Sequence, residues 1–267
     1  MILLTLLDNF YSHSKEKSLD AEYLSRALLQ LIREKTKEYE VEFEYGGLHQ
    51  PGNRPIIAIG GKDEVFVKNY LISEFGTIFE IDDLKSGLIL RGRIRDPDTV
   101  NFGIFIDCGI ENPQKDVLYP LFEMRKQLCS GKKLSKRELV RAYGFFEHMP
   151  VFVELTKVHQ DSRKIEGRLA QKTLDMLQVW ISDEFEMLFS SGQTRKRIKK
   201  AIKYTKHYPD YIVIERMGFL ETAVFLKQGT SAPGILADIG PHLKDTKFSM
   251  FRPKNVKTLL SSKKSKN

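Results

Sequence analysis

Cysteine and tryptophan are scarce in this chain of 267 residues, with two of the first and one of the second. Cys108 and Cys129 alone cannot make a disulfide framework, and such sparing use suits a reducing compartment. The six histidines (His13, His49, His148, His159, His207 and His242) are scattered and never at metal-ligand spacing. No stretch approaches the ~18 apolar residues of a membrane span. The apolar run Met1–Leu7 is too short for a signal h-region and has no basic segment before it. A cytoplasmic protein without a membrane partner is the expectation. There is no GxGxxG and no Walker lysine, and Ser190–Gln193 falls short of the Gly-x-x-Gly of a KH domain, so neither cofactor nor metal is expected.

What is present is ordinary globular composition, 41% hydrophobic and 29% charged. The length prior is two or three domains. A formal charge of +8 conceals a division along the chain. Residues 1–83 carry nine basic and fifteen acidic side chains, residues 84–171 sixteen and eleven, and residues 172–267 eighteen and nine. Attraction to a polyanion would therefore come from the middle and C-terminal parts.

Hydrophobic periodicity divides the chain in the same way. In residues 1–83, strands at Ile2–Leu7, Val41–Tyr45, Pro55–Ile59 and Ile78–Ile81 alternate with helices from Ser18–Glu22 to about Tyr39 and over Asp63–Phe75. That order, strand-helix-strand-strand-helix-strand, is ferredoxin-like. In residues 84–171, strands are expected at Leu88–Ile94, Phe102–Cys108, Val117–Leu121, Pro150–Val158 and Lys164–Leu169. Helical texture over 122–147, with Ser135 capping, interrupts them, and the whole reads as a small Greek-key barrel. Residues 172–260 predict a helix over Lys172–Phe189, a second over Thr194–His207, a hairpin of Tyr211–Arg216 and Thr222–Leu226, and a helix over Pro233–Leu243. These make a small basic α/β domain, and 261–267 reads as a basic disordered tail. The overall class is α+β.

The middle strands carry a resemblance. Leu88–Ile94, then Asn101–Asp107, then Asp116–Pro120 follow the order of an S1 RNA-binding domain, and Val151–Val158 with Arg163, Lys164 and Ile165 resembles its last two strands. The likeness covers roughly residues 85–171 with the insertion set aside. It implies an OB-fold barrel in which Phe102 and Phe105, from the Phe-Gly-x-Phe motif, stack nucleobases. Tyr119 would occupy the family's base-stacking histidine position. The three-part arrangement also resembles an uncharacterised archaeal family with an S1-like middle domain, which implies no activity.

Strict strand alternation puts Phe102 on the face of Ile104 and Ile106, and Phe105 on the opposite face as the better platform. Plain packing is the alternative for both rings. Arg91, Arg93 and Arg95 share one strand face, open either to phosphate or simply to solvent. The densest signal is Arg195, Lys196, Arg197, Lys199, Lys200, Lys203 and Lys206, seven cations in twelve residues. No acid lies between Glu186 and Asp210 to quench them at i,i+4. An ordinary solvated face or an acidic protein partner is the alternative to nucleic acid. Gly229, Thr230 and Ser231 precede a helix start and offer N–H groups to one phosphate, or merely cap a turn. Asp82/Asp83, Asp96/Asp98 and Glu184/Glu186 are carboxylate pairs that read as solvated. Cys108 reads as core.

The expectation is a non-enzymatic RNA-binding adaptor, ribosome- or transcript-associated, acting through the barrel and the basic helix. Its acidic N-terminal domain would meet a protein or the ribosome. A protein-binding scaffold in archaeal translation or transcription that does not touch RNA is the competing class, and a metal-dependent hydrolase the third.

Overall fold

The computed structural model describes residues 1–14, 19–159 and 164–261. Its first unit is a three-stranded antiparallel sheet in the order β1 (Ile2–Thr5), β3 (Arg54–Gly61), β2 (Val41–His49). In β2 Phe43 is buried while Glu42 and Glu44 stay exposed, so alternation chooses the packed face. Helices α1 (Ala21–Lys35) and α2 (Glu64–Phe75) cover that face with Leu28, Ile32, Val67 and Leu71. The Asp20 side chain accepts from the Tyr23 N–H at 2.9 Å and starts α1. The helix stops at Lys35, short of Tyr39, where the Thr36 hydroxyl closes the last turn on the Ile32 carbonyl at 2.8 Å.

The fourth strand of this unit goes elsewhere. β4 (Phe79–Glu80) pairs in parallel with β6 (Gly103–Glu111), Phe79 opposite Ile110. An isolated bridge, Leu6 to Thr77, joins the stretch before β4 to the segment after β1, with the Leu7 N–H donating to the Gly76 carbonyl at 3.2 Å and the Thr77 hydroxyl to the Thr5 carbonyl at 2.9 Å. The reason is packing: β6 runs past its partner β5 (Ile89–Arg95), and Phe79 lies against the barrel core.

Five strands close the barrel. β5 pairs antiparallel with β6 and β8 (Pro150–His159), β6 with β7 (Lys115–Pro120), and β8 with β9 (Lys164–Leu169). A parallel contact of β7 with β9, Leu118 opposite Glu166, completes the ring. Ile94, Ile104, Ile106, Cys108, Val117 and Val153 fill it. The insertion forms α3 (Leu121–Cys129) and α4 (Lys136–Tyr143), the latter begun by a capping box in which Ser135 and Glu138 satisfy each other's backbone N–H.

The third unit is an antiparallel sheet in the order β11 (Tyr211–Arg216), β12 (Glu221–Leu226), β10 (Met187–Ser191), β13 (Lys247–Phe251). The helix expected over Lys172–Phe189 is α5 (Gln171–Ser182), and Leu188 and Phe189 belong to a strand. Glu184, at φ +60°, turns the chain, and β10 is buried on both faces, a pattern that periodicity does not separate from a buried helix. Leu188 points to α6 (Arg195–Tyr204) and α7 (Ala232–Ile239), while Met187 and Phe189 join Trp180 and Phe251 in the barrel's own core. β13 and α8 (Pro253–Ser261), with Val256 buried, lie where the sequence pattern predicts no element. Residues 262–267 of the expected tail lie outside the described residues. No described helix is long and apolar enough to cross a membrane.

Candidate nucleic-acid interface

Phe102 and Phe105 are brought together, in the reverse of the expected roles. β6 begins at Gly103, so Phe102 lies before the strand, free of its alternation, and is 56% exposed. Phe105 is half-buried and meets it edge-on, ring centroids 6.1 Å apart. A Cβ on Gly103 would lie 2.5 Å from the Tyr119 carbonyl oxygen, so only glycine admits this approach of β6 to β7.

Tyr119 is no platform. It is 1% exposed inside the barrel, under the helical insertion, where burial, then Glu123 and Tyr143, raise its hydroxyl well above the usual tyrosine range. Arg93 is equally buried. Its guanidinium donates to the Leu7 carbonyl at 2.7 Å and the Asn9 amide oxygen at 2.5 Å, beside Asp8 and Asp107. Arg91 donates to the Met217 carbonyl at 3.1 Å. The residues after β1 and the β11–β12 hairpin cover this strand face, so neither arginine meets solvent as a free cation. Arg95, at the exposed end, pairs with Asp116 at 3.5 Å. Lys164 is exposed at the start of β9, and Arg163 lies outside the described residues.

The junction that absorbs these arginines escaped sequence reasoning. Arg54 donates to Asp107 at 2.7 Å and also to the Leu7 carbonyl. Those contacts and the Asp107–Gly109 N–H bond hold the Asp107 carboxyl below the usual range, although burial, the largest influence, opposes them. Tyr11 donates to Glu221 and stacks on His148 with ring centroids 3.8 Å apart. Burial, then the Asp8 charge, raises the Glu221 carboxyl. Burial, then Arg93 and His13, lowers His148 to about 2. Three arginines at alternate positions were the one available signal, and no local rule pairs them with residues 8, 107 and 221.

The basic run lies mostly on α6, which ends at Tyr204, short of the expected His207. Ile198, Ala201 and Ile202 seat α6 on the sheet, while Lys196, Arg197, Lys199, Lys200, Lys203 and Lys206 are exposed. Among the described residues none of the six has an acidic partner. Arg195 differs: it is half-buried, its Nε donating to the Ile214 carbonyl at 2.8 Å. At the end of the helix His207 bridges Asp210 at 2.7 Å and Asp238 at 2.8 Å, bonds that raise its pKa. Two rings that the sequence reading passed over lie bare among the cations, Tyr204 at 72% and Tyr208 at 69% exposure. Their signal was position, since Tyr204 falls four residues after Lys200 and seven after Arg197.

A groove of about 470 Å³ opens beside this helix, lined on one side by Arg197, Lys200 and Tyr204 and on the other by His242, Lys244 and Asp245. Tyr204 meets His242 edge-on at 4.8 Å, and Arg197 lies 4.5 Å over the Tyr23 ring with a bond to Gln193. The Gly229–Thr230–Ser231 turn is occupied with its own structure: Ser231 caps α7 at the Gly234 N–H, and Thr230 donates to the Asp210 carbonyl. Asp82, Asp83, Asp96, Asp98 and Glu184 are exposed and Glu186 is half-buried. Among the described residues no three His, Cys, Asp or Glu side chains gather as metal ligands.

Residues 84–181 match the DUF2110 central domain and residues 185–251 the DUF2110 C-terminal domain. No curated protein matches the chain. Among solved structures, an uncharacterized protein from Methanocaldococcus jannaschii aligns with 33% of this chain and 96% of its own length, at 17% identity and a TM-score of 0.23. The two domain matches take in more than half of the sequence and in chain order: this protein is a member of the DUF2110 family.

Proposed function

We propose that this is a non-enzymatic RNA-binding protein, associated with the ribosome or with transcripts, in which α6 supplies most of the attraction. The observation that carries the reading is five exposed cations on one short helix and a sixth, Lys206, just past its end, with no acidic partner among the described residues and with the exposed Tyr204 and Tyr208 beside them. Mutual repulsion along such a helix is a standing cost, and a phosphate chain relieves it. Two features support a role for the barrel. Its closed strand cycle, β5-β6-β7-β9-β8 and back to β5, supports the S1-like reading of the barrel, and Phe102 and Phe105 offer ring surface at its edge. With Arg93 and Tyr119 buried and Arg91 half-buried and bonded to Met217, that role falls to the two phenylalanines, Arg95 and Lys164. The strand-helix order of the N-terminal unit, with its Leu6–Thr77 bridge, supports a ferredoxin-like reading there.

The test is a low-salt filter-binding titration with single-stranded RNA. If ~4–5 cations of α6 meet phosphates, log K falls with log salt at a slope near −3, and reversing Lys199, Lys200 and Lys203 to Glu removes about two of those units. Unchanged affinity in the triple variant refutes the proposal. One observation favours the scaffold reading instead: the arginine face of the barrel is taken up by the chain's own N-terminal segment and hairpin. Partners that survive nuclease treatment in a pull-down, while the triple variant binds RNA as before, decide for the scaffold.

A further inference from the structure

Three of the depressions that border the C-terminal sheet differ in their lining. The one beside the 229–231 turn is lined by Glu184 and Glu186 and by Lys227, Arg252, Lys254 and Lys257, of which Lys257 pairs with Glu184 and Arg252 with Glu186 at 3.3 Å, and no exposed ring lines it. The one between α4 and β13 is wide and carries Arg137, Arg141 and Arg252. The groove along α6 combines three cations, one carboxylate and an exposed ring in a space of about 470 Å³, inside the range of ~300–1,000 Å³ typical of small-ligand sites.

Its helical wall is built from one stripe. Arg197, Lys200, Ala201 and Tyr204 stand at i, i+3, i+4 and i+7, so they line up along a single side of α6. That side is distinct from Lys199 and Lys203, which point away from the groove, and from Lys196, which faces α1 across another cleft. Lys244 closes the groove from the opposite wall. The Tyr204 ring has its edge contact with His242 and is otherwise open, so a flat face remains for a second ring. Arg197 is held in place by Tyr23 below it and Gln193 beside it, a bond that uses one of the five guanidinium N–H groups. A cation fixed in this way, two exposed lysines and an open ring match the two ends of a nucleotide: phosphate and base.

We infer that the groove between α6 and residues 241–245 is a subsite for one nucleotide of single-stranded RNA. The base stacks on Tyr204, and the adjoining phosphates lie against Arg197, Lys200 and Lys244. This rests on the RNA-binding reading and adds to it a place and a register: the strand enters the groove instead of lying across the whole cationic face.

Fluorescence anisotropy with a short labelled oligouridylate tests the assignment, using the full chain. Tyr204→Ala should weaken binding about 5- to 150-fold with little change in the salt slope, because stacking and not charge is lost. Tyr204→Phe should bind like the parent. Lys200→Gln with Lys244→Gln should lower the salt slope by about 1.4, the share of two phosphate contacts on a single strand. The ring is exposed, so thermal melting of Tyr204→Ala should match the parent. Lys199→Glu with Lys203→Glu lies outside the groove and reports on the helix as a whole. If that variant is weakened while Tyr204→Ala binds like the parent, the subsite is refuted and the RNA-binding reading stands. If neither differs from the parent, both fall. Free uridine monophosphate that competes as tightly as the oligomer also overturns the inference, since the groove would then hold a small nucleotide and not a strand.

Discussion

The buried junction makes a prediction about stability that can be worked through. Glu221 is the first residue of β12, buried, accepting from Tyr11 and facing Asp8. Burial and the Asp8 charge raise its pKa above the ordinary 4.5, outweighing Arg93, Arg91 and the Tyr11 bond. His148, in the same junction, is lowered from 6.5 to about 2 by burial, Arg93 and His13. Between pH 4.5 and 6.5 the folded protein keeps a proton on Glu221 that the unfolded chain has released. Over the same interval the unfolded chain holds a proton on His148 that the folded protein refuses. Each imbalance changes stability by up to about 1.4 kcal/mol per pH unit, with opposite sign: rising pH removes the Glu221 contribution and restores that of His148. The two cancel in the parent. Glu221→Gln keeps an acceptor for Tyr11 and abolishes the first imbalance, leaving the second. Relative to the parent, the variant should gain up to about 2.7 kcal/mol between pH 4.5 and 6.5, and the gain should persist at neutral pH. Urea unfolding at constant ionic strength, with midpoint and slope measured at several pH values, reads the difference directly. A difference that is constant with pH, or one that favours the parent as pH rises, refutes the account of the junction.

Three further outcomes separate surface from core. Phe102→Ala should weaken single-stranded RNA binding by about 1–3 kcal/mol in a titration while leaving the thermal midpoint unchanged, since the ring is exposed. Tyr119→Ala should do the reverse, costing about 3–5 kcal/mol in urea unfolding and leaving the RNA affinity of the folded protein intact, because the ring fills the barrel. Ser135→Ala removes the capping box of α4 and should cost about 1 kcal/mol in the same unfolding assay, with Ser135→Asp retaining most of it.

Sequence alone determined what local chemistry controls. The barrel strands, the capped insertion, the hairpin and the basic helix are written in periods of two and 3.6, in a Ser-x-x-Glu cap, and in a run of cations with no acids. Each is decided by neighbours within a few residues, so no tertiary knowledge was needed. Only the tertiary structure decided which face of an element is met by another. Alternation placed Arg91, Arg93 and Arg95 on one side of β5, and only folding brought Asp8, Asp107 and Met217 against that side, burying Arg93 and half-burying Arg91. The same limit explains Tyr119, a ring at a motif position that the insertion covers, and β10, an apolar run equally suited to helix or strand until two layers pack on it. Tyr204 is the converse: its ring stays largely exposed with His242 against it, a property of the whole surface that no window of the sequence contains.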